Sequence, residues 1–471
     1  MSNGLRAAVT GTVMLLFAAT MASAADESWT LAAGKKLVTR VETRIDVAGE
    51  LRLLDTVVAE KDGQTRQKTT EMPVAVKGQL RYHERELSSS GMVLHRAARL
   101  YELSEAKLQV GKGEIANQLG DDRRTIVVQE TNEELDLFSP AGPLDRQEME
   151  LLSVTGDSGL LNLLLPTKPV RLGDQWEPTK ELLARWLRIE IVNHSEVTLT
   201  LSKVEQGVAI ISIAGKVAGG VDGVTTDLEL NGKLNFDLAK KCCTWLALNL
   251  QEDRAASQGT PGFKTTSQIR STIAPSELPP ELTDAGLADL KTTPDEATRL
   301  LRFAAKRQGF ELVYEPRWRV VSDQPDLAVM RLIERGDLIA QCNLTRLPPL
   351  GAGEQLTLEA FQAILKKSLG TTFGDFIEAG ESLSDSGLRV LRVAIAATVS
   401  EVPIHYAFYH LSDDHQNRTT LAFTMDNDNV ERFGRGEETL VSSFQFIGQA
   451  ATSEPVKTSQ AKNVKSTQRS K

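Results

Sequence analysis

A period-two pattern after Thr226 constrains the fold of this chain more than any other feature of the sequence. Leucine and phenylalanine recur at nearly every second position, with charged and amide side chains between them. This spacing is typical of a strand with one buried and one solvated face. Lys240 and Lys241 predict a turn, after which the alternation resumes, so we predict an antiparallel hairpin over residues 226–252. The apolar positions are Leu228, Leu230, Leu234, Phe236, Leu238, Leu246, Leu248 and Leu250.

Strand-like segments extend over most of residues 25–275. Val41, Ile45 and Val47, for example, alternate with charged residues. Hairpins in series with one solvated face build antiparallel sheets, half-barrels or sandwiches rather than doubly wound parallel sheets. We therefore predict an antiparallel β-rich domain over residues 25–275.

A leucine-rich helical insert interrupts this domain at residues 145–190. The leucines of residues 160–165 are too dense for one narrow helical stripe, and Pro178 opens a short helix that ends at Leu187. We expect the insert to plug or cover the sheet. The residues predicted to contact an apolar ligand there are Leu160, Leu161, Leu163, Leu164, Leu165 and Trp176.

A curved sheet under leucine-rich helices loosely resembles the half-barrel of lipoprotein carriers, which holds acyl chains. The segment Gly173-Asp174-Gln175-Trp176 also resembles a stretch of uncharacterised exported bacterial proteins. The first resemblance implies an apolar cavity bordered by residues 160–165. Neither resemblance transfers a functional residue to this chain.

Prolines mark residues 276–292 as a linker, beyond which a second module begins. Thr293 as cap, a proline in the first turn and Glu296 closing a capping box predict a helix that ends at Gly309. Residues 310–320, FELVYEPRWRV, then predict a strand, a break at Pro316 and a buried Trp318. We further predict a hairpin, a helix over residues 357–369, three strands and a closing helix over residues 437–446.

These segments resemble the PsbP-like fold of photosystem extrinsic subunits and related exported proteins. The resemblance rests on FELVYEPRWRV, GDLIAQCNL, LEAFQAILKKSL, HYAFYH, TLAFT and LVSSFQF, and covers residues 293–447. It implies an α-β-α sandwich, which makes the chain α+β overall, and a non-enzymatic role, because members of that fold are mostly adaptors and stabilising subunits. It transfers no binding residue.

The N-terminal segment predicts export, and the C-terminal segment predicts a disordered tail. Arg6, an apolar run over residues 7–19 and Ala22-Ser23-Ala24 predict a secretory signal peptide over residues 1–24, with an uncleaved anchor as the alternative. Residues 448–471 are predicted to be a disordered basic tail. We expect a periplasmic or secreted protein that does not span a membrane after cleavage. A formal net charge of −9 argues against nucleic acid as a partner.

Candidate chemistry is sparse. Residues 156–159, GDSG, resemble the nucleophile segment of trypsin-like proteases, but Leu160 replaces a required glycine and the upstream His95 lacks the usual surroundings, so we interpret the segment as a helix-capping turn. Three cysteines are too few for a disulfide framework, and pairing of Cys342 with Cys242 or Cys243 stays open. We predict no cofactor. The weak candidates for a metal site are His410, Asp413, Asp414 and His415.

The leading hypothesis for function is a non-enzymatic binding or adaptor protein with an exported protein of unknown identity as its partner. One alternative is a periplasmic carrier of a lipid or another apolar ligand in the N-terminal half-barrel. A second alternative is an uncharacterised hydrolase.

Overall fold

The computed structural model describes residues 28–33, 38–58, 65–87, 93–131, 135–257, 260–351 and 353–448. The predicted signal peptide, and the predicted basic tail beyond Gly448, lie outside these residues. The described chain is rich in antiparallel β-sheet and divides into two compact units. Unit 1 comprises Met1–Arg302, Tyr314–Arg319 and Arg331–Ala340, and unit 2 comprises Phe303–Val313, Val320–Met330 and Gln341–Lys471.

One antiparallel sheet of 13 strands dominates unit 1. The strands of this unit are β1 (Ser28–Trp29), β2 (Val38–Val58), β3 (Thr65–Glu86), β4 (Val93–Val110), β5 (Gly113–Gln118), β6 (Thr125–Thr131), β7 (Leu135–Phe138), β8 (Val170–Arg171), β9 (Gln175–Trp176), β10 (Ile191–Ser195), β11 (Thr198–Glu205), β12 (Val208–Val221), β13 (Val224–Asp237), β14 (Cys242–Arg254) and β15 (Gly262–Pro275). The order across the sheet is β7-β6-β4-β3-β2-β15-β14-β13-β12-β11-β9. In addition, β5 pairs with β4 and β10 with β12, while β1 and β8 form a separate ladder.

The predicted hairpin over residues 226–252 is confirmed by β13 and β14. Their register runs without a break from Thr226 opposite Arg254 to Asn235 opposite Trp245, and a bulge follows. Along β13 the side chains alternate between buried and exposed positions. The alternation therefore gives the sheet one apolar inner face and one solvated outer face.

A two-residue turn, Asp222-Gly223, joins β12 to β13. Both residues have left-handed backbone angles, with φ of 48° and 75°, as a type I′ hairpin turn requires. A Cβ atom on Gly223 would lie 1.9 Å from the carbonyl oxygen of Arg335. Glycine is therefore required here by backbone angle and by space.

The predicted helical insert consists of α1 (Arg146–Leu152), a 3-10 helix (Ser158–Leu164) and α2 (Lys180–Leu187). Asp145 starts α1 with a capping box that Glu148 completes, and the side chain of Thr179 caps α2. The buried leucines of these helices belong to the same core cluster as the inward side chains of β13 and β14. The insert thus covers the apolar face of the sheet.

The predicted helix from Thr293 towards Gly309 is wrong. After α3 (Asp284–Leu287), only a single 3-10 turn forms, at Ala297–Arg299, and the next residues form a strand. Asp295 and Thr298 close that turn by reciprocal hydrogen bonds of 2.9 and 3.0 Å. The predicted capping box of Thr293 and Glu296 is not among these bonds, and sheet pairing of the apolar residues that follow overrides helix propensity.

The remaining strands form a three-stranded and a seven-stranded sheet, in the orders β16-β17-β25 and β18-β19-β20-β24-β23-β22-β21. They are β16 (Leu301–Ala305), β17 (Phe310–Tyr314), β18 (Trp318–Asp323), β19 (Ala328–Glu334), β20 (Asp337–Leu347), β21 (Phe373–Leu383), β22 (Arg389–Val399), β23 (Val402–Ser412), β24 (Arg418–Asp426) and β25 (Gln445–Phe446). The helices are α4 (Leu358–Leu369), α5 (Val430–Phe433) and α6 (Glu438–Ser442). The inward side chains of α4 pack against β22.

Several predictions for this region are confirmed. FELVYEPRWRV forms β17, a break and β18, and Trp318 is fully buried. The helix over residues 357–369 is α4, capped by Thr357 and ended at Gly370. The strand β21 was missed, because its side chains are almost all exposed and show no alternation.

The predicted closing helix over residues 437–446 is too long. It ends at Ser442, and β25 then pairs with β17, placing Phe446 opposite Phe310. Phe444 is fully buried and stacks on Phe310 at a centroid distance of 5.1 Å. This aromatic packing and the β17 ladder outweigh continuation of the helix.

All three cysteines are free thiols, so Cys342 pairs with neither Cys242 nor Cys243. Burial raises the pKa of the Cys243 and Cys342 thiols, which keeps both side chains protonated at neutral pH. Within the residues that the structure describes, no helix has the length and apolar character that crossing a membrane requires.

Candidate functional site

The residues predicted to contact an apolar ligand lie together in unit 1 and are packed against one another and against the sheet. The indole Nε1 of Trp176 donates a hydrogen bond of 2.8 Å to the carbonyl oxygen of Leu164. These side chains fill the core beneath the helical insert. Those that are buried are Leu160, Leu161, Leu164 and Leu165, with Leu163 and Trp176 half-buried beside them.

The weak metal candidates lie at the end of β23 and in the loop after it. His410 is buried, Asp413 is half-buried, and Asp414 and His415 are exposed. Within the described ranges, no three His, Cys, Asp or Glu side chains are placed to hold a metal ion.

Protein groups already occupy the two most enclosed of these candidates. The Nε of Arg418 donates to His410 Nε2 over 3.1 Å. Asp413 Oδ1 accepts from the backbone N–H groups of His415 and Asn417, and its Oδ2 accepts from Asn417 Nδ2 over 2.7 Å. The Asp413 carboxylate therefore holds the loop.

The interpretation of residues 156–159 as a capping turn is confirmed. Asp157 precedes the 3-10 helix, and its Oδ1 accepts from the N–H of Gly159 over 2.8 Å. The hydroxyl of Ser158 lies 2.7 Å from that of Tyr82. His95 is adjacent, since a Cβ atom on Gly159 would lie 2.7 Å from its Nε2, yet that nitrogen has no hydrogen-bond partner among the described residues. Ser158 therefore lacks a hydrogen-bonded base.

A buried ion pair connects this turn to the sheet, and sequence reasoning missed it. Arg99 on β4 donates to both carboxylate oxygens of Asp157 over 2.8 and 2.6 Å, and its Nε donates to Glu84 on β3 over 2.7 Å. Burial by itself would raise the pKa of the Asp157 carboxyl, but the charge and hydrogen bonds of Arg99 outweigh it and hold that pKa well below its usual range. The arrangement is suited to holding the insert on the sheet.

A second buried pair joins Glu130 on β6 to Arg185 on α2. Glu130 is fully buried, and burial raises its pKa to about 7, although Arg185 opposes that shift. Both pairs join a strand to the helical insert, and neither has a local spacing that a sequence pattern would reveal.

A groove of about 840 Å3 crosses the solvated face of the large sheet. Six neighbouring strands contribute to it, in the order β2, β15, β14, β13, β12 and β10. Strand pairing aligns their exposed residues in two adjacent rows. The first row is Glu50, Lys264, Asp253, Asp227, Ala218 and His194. The second row is Ala48, Thr266, Gln251, Glu229 and Lys216, with Glu196 beyond.

Glycines at both ends of the rows let neighbouring backbones approach closely. A Cβ atom on Gly49 would lie 2.1 Å from the carbonyl oxygen of Lys264, and one on Gly215 would lie 2.4 Å from that of Glu196. Glycine at such positions permits local bending of a strand. The groove therefore depends on residues that contribute no side chain to it.

The groove has an excess of acidic side chains. Its two rows carry five carboxylates against two lysines. Lys216 lies 3.6 Å from Glu229, and Arg52, outside the rows, lies 2.8 Å from Asp253. Exposed pairs of this kind contribute little to stability, so a charged partner could replace them at small cost. The surface is suited to binding a positively charged group.

Comparisons with known proteins give distant likenesses only. No family model matches the chain, and no curated protein matches it. Among solved structures, the chain is similar to cyanobacterial PsbP (CyanoP) from Synechocystis sp. PCC 6803, with 18% identity over 31% of this chain and 92% of that chain, and a TM-score of 0.25. This neighbour is a PsbP protein.

Two further likenesses have still lower TM-scores. The translocator domain of the autotransporter NalP from Neisseria meningitidis is 7% identical over 82% of this chain and 86% of its own, with a TM-score of 0.11. OccK2 (OpdF) from Pseudomonas aeruginosa is 7% identical over 82% of this chain and 96% of its own, with a TM-score of 0.12. At these TM-scores, none of the likenesses says anything about function.

Proposed function

We propose that this chain is an exported, non-enzymatic binding or adaptor protein whose partner contacts the groove on the large sheet. In this proposal an antiparallel β-rich domain over residues 25–275 carries the groove, and a PsbP-like α-β-α sandwich over residues 293–447 forms the second module. The observation that supports it is the pair of polar rows, which strand pairing holds in register across six strands.

The shape and charge of the groove favour an extended, basic segment of another exported protein. Six strands spaced about 4.8 Å apart span about 24 Å, the length of roughly seven extended residues. Five carboxylates along that length attract Lys and Arg side chains of such a segment, and the two lysines limit binding of a uniformly positive surface. Affinity should fall as salt is added, because exposed charges are screened.

Within the described chain, the surroundings of Ser158 do not provide the base that a serine hydrolase needs. A serine nucleophile needs a base within hydrogen-bond reach, whereas the Ser158 hydroxyl is bonded to Tyr82. Burial raises the pKa of Tyr82 well above its usual range, so the phenol stays protonated at neutral pH. Tyr82 therefore cannot act as the base that accepts the Ser158 proton. The hydrolase alternative therefore receives no support from this cluster.

The carrier alternative draws on the helical insert. Four leucines on the buried side of the insert would form an exposed apolar surface if the insert moved off the sheet. Native mass spectrometry of the protein purified from its own compartment, followed by organic extraction, distinguishes the two functions. A stoichiometric acyl-chain ligand, lost when Leu161 and Leu164 are both changed to aspartate, would favour the carrier.

A charge-reversal experiment tests the groove directly. We expect a seven-residue lysine peptide to bind the purified chain in low salt, and the double variant Asp227→Lys, Glu229→Lys to lose that binding. Both positions are exposed, so folding should be preserved. The control is Glu114→Lys at an exposed site outside the groove. Equal loss of binding in the control, or full retention in the double variant, would refute the assignment.

A further inference from the structure

A second, smaller cavity of about 300 Å3 lies within unit 2, formed at the ends of β22, β23 and β24. Arg389, Ser412 and Arg418 form one row across these strands, because each is paired directly with the next. The segment before α4, residues 353–356, and the loop over residues 413–416 contribute the walls. The cavity opens to solvent on one side and is lined mainly by polar side chains.

The buried His410 lies beside this cavity and holds Arg418, one of the residues that line it. The Nε of Arg418 donates to His410 Nε2, so that nitrogen carries no proton. Burial lowers the pKa of His410 to about 4, so the ring is neutral at pH 7 and its proton lies on Nδ1. His410 is 1% exposed, and its Nδ1 has no partner within the described part of the chain. Since that nitrogen is itself buried, His410 serves to orient Arg418 through Nε2 rather than to contact a ligand.

Arg418 is a cation without an anionic partner. Among the described residues its hydrogen-bond acceptors are neutral, namely His410 Nε2 and the carbonyl oxygen of Pro348 at 3.0 Å. The neighbouring Arg389 differs, since both carboxylate oxygens of Glu381 accept from it over 2.7 and 2.9 Å. Arg418 is therefore the cation available to a ligand.

We propose that this cavity binds a small zwitterion, such as a free amino acid, through its carboxylate. Arg418 donates to that carboxylate through guanidinium N–H groups that His410 and Pro348 leave unused, with the Ser412 hydroxyl as a second donor. The acidic residues of the cavity exclude a polyanion and fit an ammonium group. Asp413 is engaged by its own loop, whereas Asp414 is exposed at the rim and takes the ammonium. A cavity of this volume lies at the lower end of the range for ligand sites, as a small ligand requires.

Calorimetric titration of the full-length chain with glycine, acetate and methylammonium tests the proposal. We expect saturable binding of glycine, weaker binding of acetate and none of methylammonium. Arg418→Lys keeps the charge but loses the planar fork, and should weaken glycine binding roughly tenfold or more. Ser412→Ala, a small change at a half-buried position, should weaken it less and guards against a folding artefact.

Two variants make the outcome decisive. Asp414→Asn should remove the advantage of glycine over acetate, and Arg435→Lys, at an exposed site outside the cavity, should change nothing. Absence of saturable glycine binding, or unchanged binding in both Arg418→Lys and Ser412→Ala, overturns the site. Acetate binding as tightly as glycine overturns the zwitterion assignment.

Discussion

Replacing Asp157 by asparagine should destabilise unit 1 by about 3 kcal/mol at pH 7. The carboxylate is 3% exposed and Arg99 is 1% exposed, so the variant leaves a guanidinium buried with one anionic partner removed. Breaking a buried pair in this way costs about 3–5 kcal/mol. We expect a cost at the lower end of this range, because the hydrogen bond from Arg99 to Glu84 remains.

Urea unfolding with linear extrapolation measures this cost. The matched control is Glu381→Gln, which breaks the more exposed Arg389 pair in unit 2 and should cost much less than Asp157→Asn. Replacing both partners by apolar residues, Arg99→Met with Asp157→Leu, should recover stability relative to Asp157→Asn. A loss below about 1 kcal/mol for Asp157→Asn would refute our account of the pair.

Three further predictions concern stability. Leu161→Ala should lower the free energy of unfolding by about 2–5 kcal/mol because Leu161 is fully buried, whereas urea curves of Leu172→Ala, 53% exposed, should match the parent. Thr357→Ala should lower the free energy of unfolding by about 1 kcal/mol because it removes the side-chain cap of α4. Thr357→Ser keeps a capping hydroxyl and should have the stability of the parent. The Arg40 hydrogen bond lowers the pKa of Glu102 to about 2, so its stabilisation is present above pH 4.5 and lost as the pH falls towards 2. Because Glu102 is 31% exposed, the free energies of unfolding of Glu102→Gln and the parent should differ by only about 1 kcal/mol above pH 4.5. Unfolding measured over a pH series should show that this difference vanishes near pH 2. A difference that stays constant with pH would contradict the prediction.

Local patterns were sufficient for elements whose own residues supply the signal. The β13–β14 hairpin alternates over its whole length, and α4 has its cap, its apolar stripe and its terminal glycine within one segment. Local patterns failed where neighbours in space decide. The residues after Thr293 join a sheet despite a helix start, and β21 has too few buried side chains to show a period.

The candidate sites divide in the same way. The solvated face of each strand can be predicted from the alternation of apolar and polar residues. The leucine-rich insert can be predicted from its composition. The grouping of charges into a groove does not, because it depends on which strands are neighbours and in what register.

The sequence by itself determined which faces are buried, where several helices begin and end, and that the chain is rich in antiparallel strands, because these properties depend on residues a few positions apart. Only the tertiary structure decided which side chains from distant segments lie next to one another. It pairs Glu50 with Lys264 in the groove, Arg99 with Asp157 beneath the insert, and Arg418 with His410 beside the small cavity. The first two partners are far apart in the chain, and the third pair depends on strand register, so no local pattern encodes these contacts.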